Sequence, residues 1–316
     1  MTMIDLKMNK PFRLQRSMLS VPGMNPRMFD KALRSEADTI MLDCEDSVPE
    51  DDKQQARDNV IQALNEKDWK ATNKGMVVRI NAVNTPHMYK DLIQIVEDAG
   101  ESIDCILLPK VNEDTEVKVL DYLLNQLEMH LNLEKSIGIE VLIETAAGAE
   151  NLGRIAACSD RLEALHFGAG DFAASCRARM TSIGGDSSEY PGDQWHYIMQ
   201  KIVIAARANG LRPIDSAFGN YRDERAYVEK LQRAAILGFE GKWAIHPNQI
   251  APANKIMTPP AIEVDRAYRI ISAMKEGAQQ GRGAVSLDGQ MIDIASVRMA
   301  QHIVSMDQAI KRGSPS

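Results

Sequence analysis

The sequence predicts a (β/α)8 barrel over residues 1–258, followed by a C-terminal helical lid or oligomerisation extension over 259–316. Three observations carry this. Eight short apolar runs alternate with helix-length stretches. The alternation spans roughly 240 residues, the size of one such barrel. Most runs are apolar nearly throughout instead of alternating, as strands are when helices cover the sheet on one side and a packed interior fills the other. A doubly wound open sheet has the same texture, but the count of eight and the span favour closure.

In order, the strands are SMLSVP (17–22), DTIMLD (38–43), MVVRI (76–80), DCILLP (104–109), IGIEVLIE (137–144), LEALHFG (162–168), LRPIDSAF (211–218) and KWAIHP (242–247). The helices between them are PRMFDKALRS, EDDKQQARDNVIQALNE, MYKDLIQIVEDAG, TEVKVLDYLLNQLEMHL, AGAENLGRIAAC, WHYIMQKIVIAARANG and ERAYVEKLQRAAILGF. Gly100, Gly210 and Gly238 sit where helix C-caps belong. After the TPP break at 258–260 the texture changes. AIEVDRAYRIISAMKEGAQQ reads as one amphipathic helix, and a glycine-rich turn then leads into a last helix.

Composition narrows the function. Of 316 residues, 44% are hydrophobic and 26% charged, which is a folded globular chain. With 37 basic against 44 acidic residues the net charge is −7, which argues against a nucleic-acid binder. No apolar run is long enough to span a membrane, and the first fifteen residues lack the apolar core of a secretory signal. Cys44, Cys105, Cys158 and Cys176 form no CxxC pair, so a reducing, cytoplasmic compartment is expected.

A barrel brings the C-terminal ends of its strands to one rim, where catalytic groups gather. Here those ends carry Asp43-Cys44-Glu45-Asp46, Arg79-Ile80-Asn81, Lys110, Glu144, Gly168-Ala169-Gly170-Asp171, Asp215 and His246. Charges beside apolar runs are costly unless paired or metal-bound. Glu144 and Asp171 end adjacent strands, and two crowded carboxylates with no histidine cluster fit a hard cation, Mg²⁺ or Mn²⁺. Each pairing with a nearby Arg or Lys is the other reading. Arg79 suits a carboxylate or an oxyanion, or a structural pair with Asp43, Glu45 or Asp46. Arg16, just before the first strand, is a weaker candidate for the same anion. The glycines of GAGD bring the backbone N–H groups of Ala169 and Gly170 toward an anionic substrate. His246 is either a base or a brace for the loop before Pro247.

The segments RSMLSVPGMNPRMFDKAL, DTIMLDCEDSVPEDDKQQAR, VVRINAVNTP, ILLPKV, IEVLIETAAGAENL, LHFGAGDFAA, LGFEGKWAIHPNQIAPAN and DGQMIDIASVRMA follow one another over residues 16–304. In these the chain resembles the HpcH/HpaI aldolase/citrate lyase β-subunit family. IGGDSSEYPGDQWHY, LRPIDSAFGNY and GKWAIHPNQI are most similar to its L-malyl-CoA/β-methylmalyl-CoA lyases. The resemblance implies a TIM barrel with Mg²⁺ at Glu144 and Asp171, and Arg79 at the reacting carbonyl groups. It implies CoA phosphates at Arg27 and Lys31, and an acid/base aspartate in the C-terminal segment. Asp288 and Asp293 are the candidates, and the MID motif favours Asp293. Asp43, Glu45 and Asp46 would orient Arg79 and metal-bound water.

The activity so implied is retro-Claisen cleavage of a β-hydroxyacyl-CoA into glyoxylate and acetyl-CoA or propionyl-CoA. The enzyme would be a homo-oligomer, a trimer or hexamer. A malyl-CoA thioesterase, a citramalyl-CoA lyase and a citrate lyase β-subunit are the alternatives on the same scaffold.

Overall fold

The computed structural model describes residues 11, 13–180, 182–185 and 190–313. The stretch 186–189, within one of the subfamily motifs, lies outside them. The chain forms two compact units, Met1–Asn254 and Lys255–Ser316.

In the larger unit eight strands close a parallel barrel in sequence order, with β8 pairing back to β1. They are β1 (Ser17–Pro22), β2 (Thr39–Asp43), β3 (Gly75–Arg79), β4 (Cys105–Leu108), β5 (Gly138–Ile143), β6 (Leu162–Phe167), β7 (Arg212–Asp215) and β8 (Gly241–Ala244). Side chains alternate across a strand with period two. One phase of that alternation meets inside as Met18, Met41, Val77, Cys105, Leu107, Leu142, Ala164, Ile214 and Trp243. The other phase packs under the helices, so both faces are buried and the runs read as continuously apolar. Continuing the inward phase two residues on gives Asp43 after Met41, Arg79 after Val77 and Glu144 after Leu142. The polar strand ends are therefore the last inward layer, at the mouth.

The outer helices are α1 (Pro26–Leu33), α2 (Lys53–Glu66), α3 (Met88–Ala99), α4 (Asp114–Leu131), α5 (Ala146–Glu150), α6 (Leu152–Ala156), α7 (Ala169–Ser175), α8 (His196–Ala208) and α9 (Glu224–Leu237). α10 (Ile250–Met257) follows β8 through a single 3₁₀ turn. Gly210 and Gly238 are left-handed, as a helix terminus prefers, whereas Gly100 is right-handed and leads into a 3₁₀ turn. The stretch 147–158 is not one helix. It breaks at Asn151, whose side-chain amide donates to the Asn112 carbonyl. α7 was not expected, because two glycines in GAGD weaken the local helical signal. Packing supplies what propensity lacks: the Phe172 ring meets those of Phe167 and Trp195 at 5.7 and 6.2 Å.

The smaller unit holds α11 (Ala261–Gln279), β9 (Val285–Leu287), β10 (Gln290–Ile292) and α12 (Ile294–Gly313). The glycine-rich turn expected here is a β-hairpin. Asp288 and Gly289 both have positive φ, 52° and 76°, which is what a two-residue Asp-Gly hairpin turn demands. Ala267, Ala300 and Val304 form this unit's own small core. Among the described residues no helix is long and apolar enough to cross a membrane. Cys44 and Cys105 are buried, Cys158 is half-buried and Cys176 exposed, all as free thiols.

Candidate active site at the barrel mouth

β2 and β3 pair with Asp43 opposite Arg79, so their inward side chains are neighbours. Arg79 Nε and Nη2 donate to the two Asp43 oxygens, each at 2.7 Å, in a bidentate pair. Its Nη1 lies 3.1 Å from Glu45 Oε2. Burial opposes the guanidinium charge, but Asp43, Glu45 and Glu144 outweigh that and hold its pKa above the ordinary value. Burial also opposes the Asp43 charge, and Arg79 again wins, keeping that carboxyl below its usual range. The expected structural pair is thus present. It commits only part of the five-donor guanidinium and leaves donors for an oxyanion.

The loop behind this pair is wired to buried groups. Asp43 accepts the Glu45 and Ser47 amides at 2.9 and 3.3 Å. Lys53 Nζ donates to the carbonyls of Cys44 and Glu45 at 3.1 and 2.8 Å. Asn81 joins the Cys44 carbonyl to Asp91, which in turn accepts from Arg57 at 2.6 Å.

On the other side of the mouth, Lys110 follows β4 in the left-handed region (φ 52°), unusual for a residue with a side chain. That turn aims its amide at Glu144 Oε1, 2.9 Å away. Its ammonium donates to Glu45 and to both oxygens of Asp46, at 2.8 and 2.9 Å, and stands 3.8 Å from Asp171. The expected grouping of Asp43, Glu45 and Asp46 around Arg79 therefore divides. Asp43 and Glu45 hold the arginine, while Asp46 binds Lys110. In the sequence Lys110 reads only as a polar strand end. Its role depends on a left-handed backbone that no local motif announces.

Glu144 follows β5 and is 2% exposed. Burial, with Asp171 and Glu45 nearby, raises its pKa to about 8 against the pull of Arg79 and Lys110. Asp171, in the first turn of α7, is shifted up too, by burial and by Asp46. Gly168 makes this packing possible, because a Cβ there would lie 2.4 Å from Glu144 Oε2 and 2.5 Å from its Cβ. Its lack of a side chain serves Glu144.

The remaining candidates divide. Arg27 and Lys31 are exposed one turn apart on α1, directly after β1. Ala169 and Gly170 open α7 beside Asp171. Arg16 does not belong with the mouth, and the expectation that it binds substrate is corrected. It precedes β1, at the opposite end of the barrel, where its Nε and Nη2 each lie 2.8 Å from Asp38. Asp215 pairs with Lys242 at 2.5 Å, both buried outside the barrel interior. His246 braces its loop: Nδ1 meets Asn248 and the ring stacks on Tyr221 at 4.6 Å. In the smaller unit Asp288 occupies the hairpin turn and pairs with Arg266 and Arg269. Asp293 caps α12, its Oδ1 accepting the amides of Ala295 and Ser296 at 2.9 and 3.1 Å. The Ser296 amide leads in holding that carboxyl below its usual range.

The donor set at Glu144 and Asp171 fits a hard divalent cation. Both are oxygen donors, and both are pushed toward protonation by burial and by neighbouring acids, a strain that a cation removes. Among the described residues no three His, Cys, Asp or Glu side chains form a ligand cluster. An ion here would complete its shell with water and substrate, as Mg²⁺ commonly does.

The chain is similar to known proteins over most of its length. The chain is 42% identical over 310 residues to an L-malyl-CoA/β-methylmalyl-CoA lyase of Rhodobacter capsulatus, covering 95% of this chain and 97% of that one. It is 34% identical over 296 residues to a malyl-CoA/β-methylmalyl-CoA/citramalyl-CoA lyase of Chloroflexus aurantiacus, covering 89% and 83%. A crystal structure of the protein CitE from Mycobacterium tuberculosis, in complex with magnesium, acetoacetate and coenzyme A, superposes with a TM-score of 0.73. It is 27% identical and covers 93% of this chain and 98% of that one. Residues 16–247 match the HpcH/HpaI aldolase/citrate lyase family, and the chain belongs to that family.

Proposed function

We propose that this protein is a Mg²⁺-dependent carbon–carbon lyase that reversibly cleaves L-malyl-CoA or β-methylmalyl-CoA into glyoxylate and acetyl-CoA or propionyl-CoA. One observation carries the reading: the paired carboxylates Glu144 and Asp171, short of positive charge, share the mouth with the fixed arginine Arg79. The likeness to malyl-CoA lyases over 95% of the chain supports it. Bound between Glu144 and Asp171, Mg²⁺ (or Mn²⁺) would supply a Lewis acid for the oxygen that becomes the glyoxylate aldehyde.

The chain's own groups do the rest. Arg27 and Lys31 meet the CoA phosphates. The amides of Ala169 and Gly170 face the substrate carboxylate. Arg79, held by its bidentate pair with Asp43, stabilises the thioester oxygen as it becomes an enolate. In cleavage Asp293, as carboxylate, takes the proton of the substrate's β-hydroxyl and passes it to the enolate carbon; in condensation it takes the carbon proton and returns it to the new alkoxide. Its lowered pKa keeps it as the base, the form condensation uses. The protein works as a homo-oligomer, a trimer or hexamer, in a reducing, cytoplasmic compartment.

The test is purified protein with Mg²⁺ and (S)-malyl-CoA, following glyoxylate as its phenylhydrazone and free CoA with a thiol reagent. Glyoxylate that disappears with EDTA supports the proposal. Free CoA and malate without glyoxylate make it a thioesterase. Pyruvate from citramalyl-CoA alone makes it a citramalyl-CoA lyase, and turnover only with co-purifying subunits makes it a citrate lyase β-subunit. Arg79→Ala should lower kcat far more than it raises KM, because the enolate contact strengthens only in the transition state.

A further inference from the structure

Beneath the mouth runs a buried polar chain that the proposed reaction does not use. Trp243, inward on β8 and 6% exposed, lays its ring against Arg79, with Cζ 5.4 Å from the ring centroid. Its indole Nε1 donates to His166 Nδ1 at 2.9 Å. His166, fully buried on β6, meets Glu140 Oε2 through Nε2 at 2.9 Å. Glu140 also accepts from Gln15 at 3.1 Å and from Arg212 at 3.0 Å. Arg212 donates to Gln15 Oε1 at 3.2 Å, which turns the Gln15 amide nitrogen toward Glu140.

Every step of this chain has a forced direction. Arginine and indole N–H groups only donate, and an ionised carboxylate only accepts. Burial works against the Glu140 charge, but hydrogen bonds from His166 and Gln15 and the Arg212 cation outweigh it, so it stays ionised and an acceptor. His166 Nδ1 faces a pure donor and must offer its lone pair. Nε2 faces a pure acceptor and must carry the hydrogen. The partners thus select the neutral Nε2–H tautomer, and the indole is pinned at its one polar atom.

From this geometry we propose that Trp243 is a positioning residue that fixes the plane of the Arg79 guanidinium, and that His166, held in one tautomer by Glu140, fixes Trp243. Asp43 sets the in-plane rotation of Arg79 through two hydrogen bonds; tilt about the axis joining the two groups is opposed on one edge by Glu45, 3.1 Å from Nη1, and on the face by Trp243. A ring face against the cation removes that tilt. The catalytic part of this inference rests on the proposal that Arg79 stabilises the enolate. The structural part does not.

The test uses Trp243→Phe, which keeps a ring but loses the N–H, and Trp243→Leu, which loses both. With malyl-CoA and Mg²⁺, Trp243→Leu should lower kcat about tenfold with KM within about twofold, and Trp243→Phe should fall between it and wild type. In an Arg79→Lys background Trp243→Leu should cost little more, since its effect passes through the arginine. Losses that multiply in the double variant would overturn the proposal. Two resonance measurements decide the structural part without turnover. In long-range ¹H–¹⁵N spectra of histidine-labelled protein, His166 should be the Nε2–H tautomer, and Trp243→Phe should shift its Nδ1 signal. The Arg79 Nε–H signal should lose a ring-current shift in Trp243→Leu and keep most of it in Trp243→Phe. An unmoved Nδ1 or Arg79 signal refutes the proposal even in a fully active enzyme. Absence of glyoxylate from the wild type, with both signals moving as expected, faults the lyase reading and upholds the positioning.

Discussion

Replacing Gly168 with alanine isolates the geometry of the carboxylate pair. Gly168 has φ −110°, which alanine adopts without strain, so the added methyl is the whole perturbation. That methyl would lie 2.4 Å from Glu144 Oε2 and 2.5 Å from Glu144 Cβ, where 3.4–4 Å is ordinary contact. Relief needs a shift of about 1 Å. A carboxylate can swing away, but Cβ is tied to the backbone at the end of β5, so the chain itself must move. Overpacking of this kind costs about 1–3 kcal/mol of stability, and a misplacement of about 1 Å at a reacting centre costs about 100-fold in rate. The displaced Glu144 would also release the Lys110 amide, 2.9 Å away, and with it the left-handed turn. We expect Gly168→Ala to weaken Mg²⁺ binding at least tenfold by calorimetry and to lower kcat by about two orders of magnitude. Gly153→Ala is the control: nothing lies within 4 Å of its Cβ position on α6, so activity should be unchanged and stability should rise by about 0.5–1 kcal/mol. Wild-type metal affinity and kcat in Gly168→Ala would show that Glu144 is not a ligand held by close packing.

Three further predictions follow from the charges. Glu144 has its pKa raised to about 8, so the metal-free protein is favoured by it below about pH 4.5 and loses that contribution as pH rises through 8. Mg²⁺ must displace that proton at neutral pH. Its affinity should rise about tenfold per unit up to about pH 8 and then level, with about one proton released near pH 7 in calorimetry across buffers of different ionisation enthalpy. For Glu140 the sign is opposite: its lowered pKa stabilises the fold above about pH 4.5, and this is lost as pH falls from there through the lowered value. Glu140→Gln should therefore flatten acid unfolding between those limits while lowering stability at pH 7. Lys110→Met removes an ammonium 3.8 Å from Asp171 that competes with the metal, and should tighten Mg²⁺ about tenfold at low salt; weaker binding would mean that the lysine builds the site more than it blocks it.

The barrel was legible because burial on both faces leaves a continuous apolar run at each strand. The strand ends were legible because charge is rare beside such runs. Asp43, Arg79 and Glu144 were found that way, and the period-two phase explains why all three turn inward. What could not be read depends on contacts distant in sequence or on backbone geometry. Arg16 flanks a strand as Arg79 does, but at its N-terminal end, and only its Asp38 partner, across 22 residues, shows that it braces the far side. Gly168 reads as a glycine that brings backbone N–H groups toward an anion until the side chain beneath it is seen. Trp243 and His166 look like core residues on β8 and β6, and 77 residues separate the two halves of their hydrogen bond. The hairpin of the smaller unit carried a local signal, Asp-Gly between short apolar strands, which the neighbouring glycines obscured.

The two ends of the barrel treat charge in opposite ways, and the contrast bears on function. At the N-terminal end Arg13 meets Asp104 and Glu163, and Arg212 meets Glu163 and Glu140. Lys135 adds a third cation 3.3 Å from Asp104, so three acids face three cations, with His166 and Gln15 supplying further donors. At the mouth, among the described residues, four carboxylates, Asp43, Glu45, Asp46 and Asp171, pair with Arg79 and Lys110, and a fifth, Glu144, feels the same two cations. The shifts record the difference. Glu140, paired with Arg212 at 3.0 Å, is driven down, whereas Glu144, crowded by Asp171 and Glu45, is driven up to about 8. A fold selected for stability alone would pair or remove the surplus acids, because each buried unpaired carboxylate costs free energy. Keeping them at the one rim where barrel enzymes place their chemistry makes sense if the missing charge arrives with the ligand. A divalent cation supplies it, and the substrate's own anionic groups are then left for the cation, Arg79 and the backbone amides to meet.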